Sequence, residues 1–557
     1  MKEQVRVSKA VQRSAIAHFL HQQSTAARTQ AALLDTIVRR NRDTVFGTEH
    51  GFANIRDVGD YRRQVPVQQW TEISPYVDQV VQGRPDILTS ESPLLYHWTT
   101  GTTGPQKLIP FTRSCDAAAK HSLRIWLYMA LQDNPRMLDG RIFALLNPGI
   151  DDYTEARVPY GSVSGSLYFR LPGFLRRAYS NSYDVYHIED LQARFYTLLR
   201  FALDRNCSSA MTGNPSGLRI MFEMADRMGE LLIKDIHDGT LSARFQVPAH
   251  VRIAAINDLS PNPDRARILA KAKERNGAIR PVDYWPDLEL ISCWLGGSMG
   301  HFAPSLREWC GDKFVFRDIG YMASEGIFSI PLSNGTPDSA LALHSAFFEF
   351  IPEADFGHEG APVLLAHELD AGQNYQVVVT TTGGLYRYAI NDIIRATKIV
   401  DGAPRIRFLY KGDNVQNIQG EQVSIDHVMA AMSTAASALG ISLRHFQVVA
   451  DQASRRYVVH IEPTSPPPAP ALHALLSGFD SELSRQNVNY EYFREHHYLE
   501  PPALRLMQDG WFARIVADQG GKGYRAAQFK PIVLAGVAQH AEMAETEIAL
   551  EDQLAGA

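Results

Sequence analysis

Apolar residues recur along this chain in two rhythms. Over residues 25–42, Leu33, Leu34, Ile37 and Val38 fall at helical spacing, which predicts that the chain opens with helices. Residues 65–89 scatter proline and glycine among apolar positions and predict loops and short elements. Residues 93–98 are a short apolar run ending in aromatics, the pattern of a buried strand, and a helix is predicted from Thr112 onward. Further apolar runs at 141–146, 251–256, 288–293, 346–351 and 375–380 predict strands. They alternate with helical stretches such as 192–203, which predicts an α/β core reaching to about Tyr410.

Beyond Gly412 the texture changes. Ile425, Val428, Met429, Met432 and Leu439 share one helical face, and Gly440 is a natural stop. Residues 446–449 and 457–461 predict a strand pair, and the proline tract 463–470 a stiff connector before a helix over 471–483. Strands are predicted at 503–507 and 512–516. This reads as a smaller α+β unit, so two domains are expected, residues 1–411 and residues 412–557.

Composition narrows the classes. The 557 residues carry a formal net charge of −6, which argues against a general binder of nucleic acid or anionic membrane and leaves room for a local basic groove. No stretch approaches ~20 apolar residues, so no membrane span is expected. The charged N-terminal residues predict an amphipathic helix and not a secretion signal. Cys115, Cys207, Cys293 and Cys310 are dispersed without a CxxC pair, which fits a reducing compartment and points to the cytoplasm.

Several segments carry chemistry. Thr99-Thr100-Gly101-Thr102-Thr103-Gly104-Pro105-Gln106-Lys107 follows a predicted strand. It is either a polar turn or a loop whose backbone N–H groups and hydroxyls suit a polyphosphate, with Lys107 adding a positive charge; it lacks the Walker ending. Residues 320–326, GYMASEG, place Tyr321 and Glu325 in one turn; Glu325 suits Mg²⁺, and Tyr321 either stacks on a flat base or packs in a core. Residues 384–392 end an apolar run on Asp392, which is either a turn residue or an acceptor for ribose hydroxyls. Lys530, between Phe529 and Pro531, is either a solvated strand end or a cation aimed at developing phosphate charge. No GxSxG elbow occurs, and His496-His497 lacks the residues that a paired-histidine acyltransferase site needs close behind.

In their order, these segments resemble the acyl acid–amido synthetases that conjugate plant hormones such as auxin and jasmonate to amino acids, a branch of the adenylate-forming superfamily. FGTEHGF (46–52), YRRQVPV (61–67), residues 75–89, WTTGTTGPQKLIPFT (98–112), LGGSM (295–299), YMASEG (321–326), FFEFIP (347–352), YRYAIND (386–392) and QFKP (528–531) carry the resemblance over nearly the whole length. It implies a large multi-sheet N-terminal adenylate-forming domain and a smaller mobile C-terminal domain. It implies that Thr99, Thr100, Gly101, Thr102, Thr103, Gly104 and Lys107 bind ATP phosphates. Gly297, Ser298, Tyr321, Ala323 and Ser324 would border the nucleotide, with Tyr321 beside adenine. Asp392 would take the ribose, Lys411 would add a further ATP contact, and Glu325 would hold Mg²⁺. Asp413 would be the hinge, and Lys530 a catalytic residue beside Glu325. Asn391 stands where the family has glycine, and Lys411 where it commonly has arginine. The implied reaction uses ATP and Mg²⁺ to adenylate a small carboxylic acid and passes the acyl group to an amino acid or related amine. Acyl-CoA synthesis and non-catalytic ATP binding are the competing readings. Nothing in the pattern specifies an oligomeric state.

Overall fold

The computed structural model describes residues 9–98, 107–300, 303–311, 313–356, 358, 360–412, 415–419, 421, 423–521 and 531–549. The chain divides into two compact units, residues 1–296 with 306–408, and residues 297–305 with 409–557.

In the first unit the strands Arg141–Leu145, Cys207–Thr212, Leu290–Ser292 and Val315–Arg317 pair in that order as a parallel sheet. They are buried almost throughout, as parallel strands covered on both faces are. A second sheet runs Leu108–Phe111, Leu95–Trp98, Pro159–Gly161, Asp152–Tyr153. A third has seven strands, in the order Ser329–Pro331, Ser339–Leu341, Ala403–Lys411, Tyr388–Val400, Asn374–Thr381, Ala346–Pro352, Leu364–Leu365.

One apolar cluster gathers segments far apart in sequence. Phe46, Phe52, Tyr61 and Val65 pack in it with Phe347, Tyr386, Tyr388 and Tyr321. Inside it, Glu349 is 1% exposed and accepts from Arg387 Nε at 2.8 Å and from Arg62 Nε at 2.8 Å. Arg387, just before strand Tyr388–Val400, also donates to the Val65 carbonyl at 2.8 Å, so residues 61–67 are locked onto Arg387 and strand Ala346–Pro352 by charge as well as by packing.

Three elements differ from the sequence expectation. Residues 65–89 contain a twelve-residue helix, Trp70–Val81, where loops and short elements were expected: Ile73, Val77 and Val80 form its buried stripe, and Glu72 accepts the Gln69 N–H at 2.5 Å at its start. Pro75 costs this helix one hydrogen bond, and the stripe offsets it. Residues 251–256 lie in the helix Ala249–Asp258, not in a strand; Val251 and Ala255, four apart, are the buried pair. Residues 512–516 lie in the helix Trp511–Gly521, with Trp511 and Ile515 buried four apart. Its first turn is held by Glu462, which accepts from Gly510 N–H at 3.1 Å and Phe512 N–H at 2.6 Å.

The second unit has a five-stranded sheet in the order Leu534–Ala535, Leu443–Asp451, Arg456–Pro463, Ala503–Met507, Ala544–Ala549. The helices Ile425–Ala438 and Ala469–Gln486 pack on each other, the first capped by Ser424. Among the described residues no helix is long and apolar enough to cross a membrane.

Candidate active site

The first unit concentrates the sequence-selected residues around one short hairpin. Strands Met322–Ala323 and Gly326–Ile327 pair with Ala323 opposite Gly326, which leaves Ser324 and Glu325 as a two-residue tip. The approach to this hairpin needs glycine at 320. Its φ is +89°, and a Cβ there would lie 2.3 Å from the Ser329 carbonyl oxygen. Asp318, 4% exposed, then accepts the Gly320 N–H at 2.6 Å and the Leu295 N–H at 2.6 Å. Burial pushes its carboxyl up to about 6 against the pull of these donors.

Tyr321 follows, its N–H donating to Ser329 Oγ at 2.9 Å and its ring offset-stacked on Phe408 with centroids 5.4 Å apart. Its hydroxyl donates to Asp392 Oδ2 at 2.5 Å. Burial, and then the charge of Asp392, hold that hydroxyl well above its usual range, so it stays protonated and donating. Asp392 reaches it through a bulge. Val378 faces Ala389 and Gln376 faces Ile393, so residues 390–392 oppose Val377 alone. Asn391 turns the bulge with φ +63°, the left-handed conformation that asparagine adopts more readily than other non-glycine residues.

Strand Leu95–Trp98, which the chain follows into Thr99, is tied to the hairpin tip from two sides. His97 Nδ1 lies 3.0 Å from the Ser324 carbonyl, and Ser324 Oγ donates to the Trp98 carbonyl at 3.3 Å. Just beyond the run, Lys107 Nζ donates to the Tyr388 hydroxyl at 3.2 Å and sits 5.2 Å from the Trp70 ring centroid. Burial raises the Tyr388 hydroxyl far above its usual range, and the charges of Glu325 and Asp392 add to this. Two carboxylates and one ammonium thus surround a pair of protonated tyrosines.

Lys107, Tyr321, Ala323, Ser324, Glu325 and Asp392 are therefore brought together. Gly297 and Ser298 lie in the helical turn Gly297–Gly300, which groups with the second unit, as does Lys411, the last residue of strand Ala403–Lys411. Thr99, Thr100, Gly101, Thr102, Thr103, Gly104, Asp413 and Lys530 lie outside the described residues. Tyr321 and Asp392 were expected to hold different parts of a nucleotide, and here they also bond to each other. Sequence reasoning missed His97, Asp318, Trp70 and Tyr388. The one available signal was that His97 interrupts the apolar run just before Thr99.

Three family models match the chain in order: the GH3 family N-terminal domain over residues 15–315, the central domain over 339–411 and the C-terminal domain over 426–536. Indole-3-acetic acid-amido synthetase GH3.10 of Arabidopsis thaliana is 24% identical, the match covering 92% of this chain and 93% of that protein. Jasmonoyl–L-amino acid synthetase GH3.5 of Oryza sativa subsp. japonica is also 24% identical, with 91% of each covered. A solved structure, the GH3.15 acyl acid amido synthetase, superposes with a TM-score of 0.84 at 18% identity over 97% of each chain. With its N-terminal model alone spanning more than half the residues, and the other two following in register, the chain belongs to the GH3 family.

Proposed function

We propose that this protein is an ATP-dependent ligase that adenylates a small carboxylic acid and transfers the acyl group to the amine of an amino acid or a related amine. Family membership and full-length amido synthetase relatives support the reaction class. The observation that carries the reading is the convergence of Glu325 and Asp392 on Tyr321 and Tyr388, beside the strand that leads into the Thr/Gly run.

In this reading residues 1–411 bind ATP and the acid, and residues 412–557 form a mobile lid. Thr99 to Gly104 and Lys107 bind phosphates. Tyr321, Ala323 and Ser324, with the backbone at Gly297 and Ser298, border the base, and Asp392 accepts from the ribose hydroxyls. A carboxylate oxygen of the acid attacks the α-phosphorus, and the bond to the bridging oxygen breaks as pyrophosphate leaves. The amine nitrogen then attacks the acyl carbon, AMP leaves, and the amine gives up a proton. Neither step needs a nucleophilic side chain; both need charge neutralised where it develops. Lys530 supplies one positive charge, Lys411 adds an ATP contact, and Asp413 is the pivot about which the lid turns.

The donor set suits Mg²⁺, which takes one or two carboxylates and completes its shell with water and substrate phosphates. Glu325, partly exposed at the hairpin tip, offers such a carboxylate. Among the described residues no three His, Cys, Asp or Glu form a cage, and this mode of binding needs none. When bound, the ion neutralises phosphate charge. Three buried free cysteines and one partly buried suit a reducing cytoplasm.

The test is acid-dependent exchange of labelled pyrophosphate into ATP across a panel of carboxylic acids, then mass spectrometry of products with mixed amino acids. At least one acid should support exchange and yield an amide. ATP binding with no exchange for any acid would overturn the reading, and a thioester formed only with coenzyme A would redirect it.

A further inference from the structure

We infer that His97 is a positioning residue for the nucleotide side of this reaction: its Nδ1–H clamps the Ser324 carbonyl and so sets the hairpin tip that carries Glu325 against the strand leading into Thr99. The inference rests on the function proposed above and adds a residue to it.

His97 is 2% exposed and stands in the middle of three elements. Nδ1 lies 3.0 Å from the Ser324 carbonyl, and Nε2 lies 2.8 Å from Ser166 Oγ, on the helix Val163–Arg170. A carbonyl only accepts, so Nδ1 must carry the hydrogen. Burial holds the ring neutral, down to about 4, against the opposing pull of the Ser324 carbonyl and with a smaller push from Arg170, so Nε2 is left as an acceptor. The Ser166 hydroxyl donates to the Val163 carbonyl at 2.9 Å and has Nε2 as a second acceptor in reach at 2.8 Å. The ring itself is fixed on Phe111, with centroids 4.6 Å apart. The Ser324 carbonyl thus sets the tautomer, and the packing on Phe111 keeps the Nδ1–H pointed at the tip. The reciprocal bond from Ser324 Oγ to the Trp98 carbonyl at 3.3 Å closes the link. A two-residue tip has no slack, so a shift in the Ser324 carbonyl is a shift in Glu325.

The two arms can be separated by substitution. An asparagine amide reaches the place of Nδ1, and a glutamine amide that of Nε2. His97→Asn should keep kcat and the KM for Mg·ATP in pyrophosphate exchange within about threefold of the parent protein. His97→Gln should lower kcat/KM for ATP about tenfold, the worth of one ordinary hydrogen bond, and leave the KM for the acid within about twofold. Glutamine performing as well as asparagine, or a loss spread evenly over ATP and acid, would overturn the inference. Should His97→Gln fail to fold, Ser166→Ala, which keeps the Nδ1 arm, should leave the KM for ATP within about threefold, and a tenfold rise would overturn it. If no acid supports exchange, the ligase reading fails separately, and amide hydrogen exchange over residues 320–328 reads the clamp. It should quicken about tenfold in His97→Gln and not in His97→Asn, and equal rates in the two variants would sink the inference.

Discussion

The Tyr321 hydroxyl donates to the Asp392 carboxylate at 2.5 Å, joining residues 71 positions apart in the chain. Tyr321→Phe removes that donor and leaves a carboxylate 2% exposed one hydrogen bond short. It should cost about 1–3 kcal/mol of stability and raise the KM for ATP, measured by denaturant unfolding and pyrophosphate exchange. An unchanged unfolding midpoint would show that the bond does not contribute.

Glu325→Gln keeps the size of the side chain and removes its charge. Exchange should fall on the order of a hundredfold or more, and the Mg²⁺ concentration for half-maximal rate should rise. Because the side chain is partly exposed, stability should move by no more than about 0.5 kcal/mol. A Mg²⁺ titration at fixed ATP checks both rate effects.

Asn391 occupies the left-handed region at φ +63° inside a strand. Asn391→Gly should be nearly neutral for stability and activity, whereas Asn391→Val should destabilise by about 1–2 kcal/mol and weaken ATP binding. Thermal unfolding with and without Mg·ATP separates the two effects. Equal behaviour of the glycine and valine variants would remove the bulge from the account.

Glu349 lies between Arg387 and Arg62 at the centre of the core. Glu349→Ala strands two guanidinium groups and should cost about 3–5 kcal/mol, read as a lower guanidinium midpoint with the same slope.

Stability should decline in acid, with a sign set by four groups. Burial holds the neutral His344 imidazole down to about 3 and those of His97 and His460 to about 4. The unfolded chain takes up those protons from pH 6.5 downward and the folded chain does not, so each stabilisation is present above 6.5 and is lost as pH falls toward the folded values. By pH 5 each loss is about 2 kcal/mol. Asp318, raised to about 6, acts oppositely: its contribution is present below its unfolded value of 3.8 and is lost as pH rises through 6. His344→Phe and His460→Phe should therefore flatten the fall in melting temperature between pH 7 and 5, and Asp318→Asn should steepen it.

Long periodic elements were legible from the chain alone, and so was the ordered set of motifs. Residues 346–351 and 375–380 are strands because β-branched and aromatic residues dominate there, with Glu349 and Gln376 as the polar exceptions. Residues 251–256 and 512–516 carry the same residue types in helices, where only the spacing of the buried pair, four apart, distinguishes them. Tyr321, Glu325 and Asp392 were found by motif and do converge. His97 and Asp318 were not found, because what they do is decided by partners that no local period reveals. The residue that His97 holds is 227 positions away.

The bulge at 390–392 has a consequence for how this strand tolerates changes in length. It adds two residues, an even number, so side chains on either side of it keep the same inward and outward sense. Deleting one of them would turn the remainder of strand Tyr388–Val400 inside out. Deleting both would restore an unbroken ladder and a sound sheet, with the carboxylate gone from its place beside Tyr321. Folding and chemistry thus make separate demands on the same three positions, and a shortened chain can satisfy the first while abandoning the second.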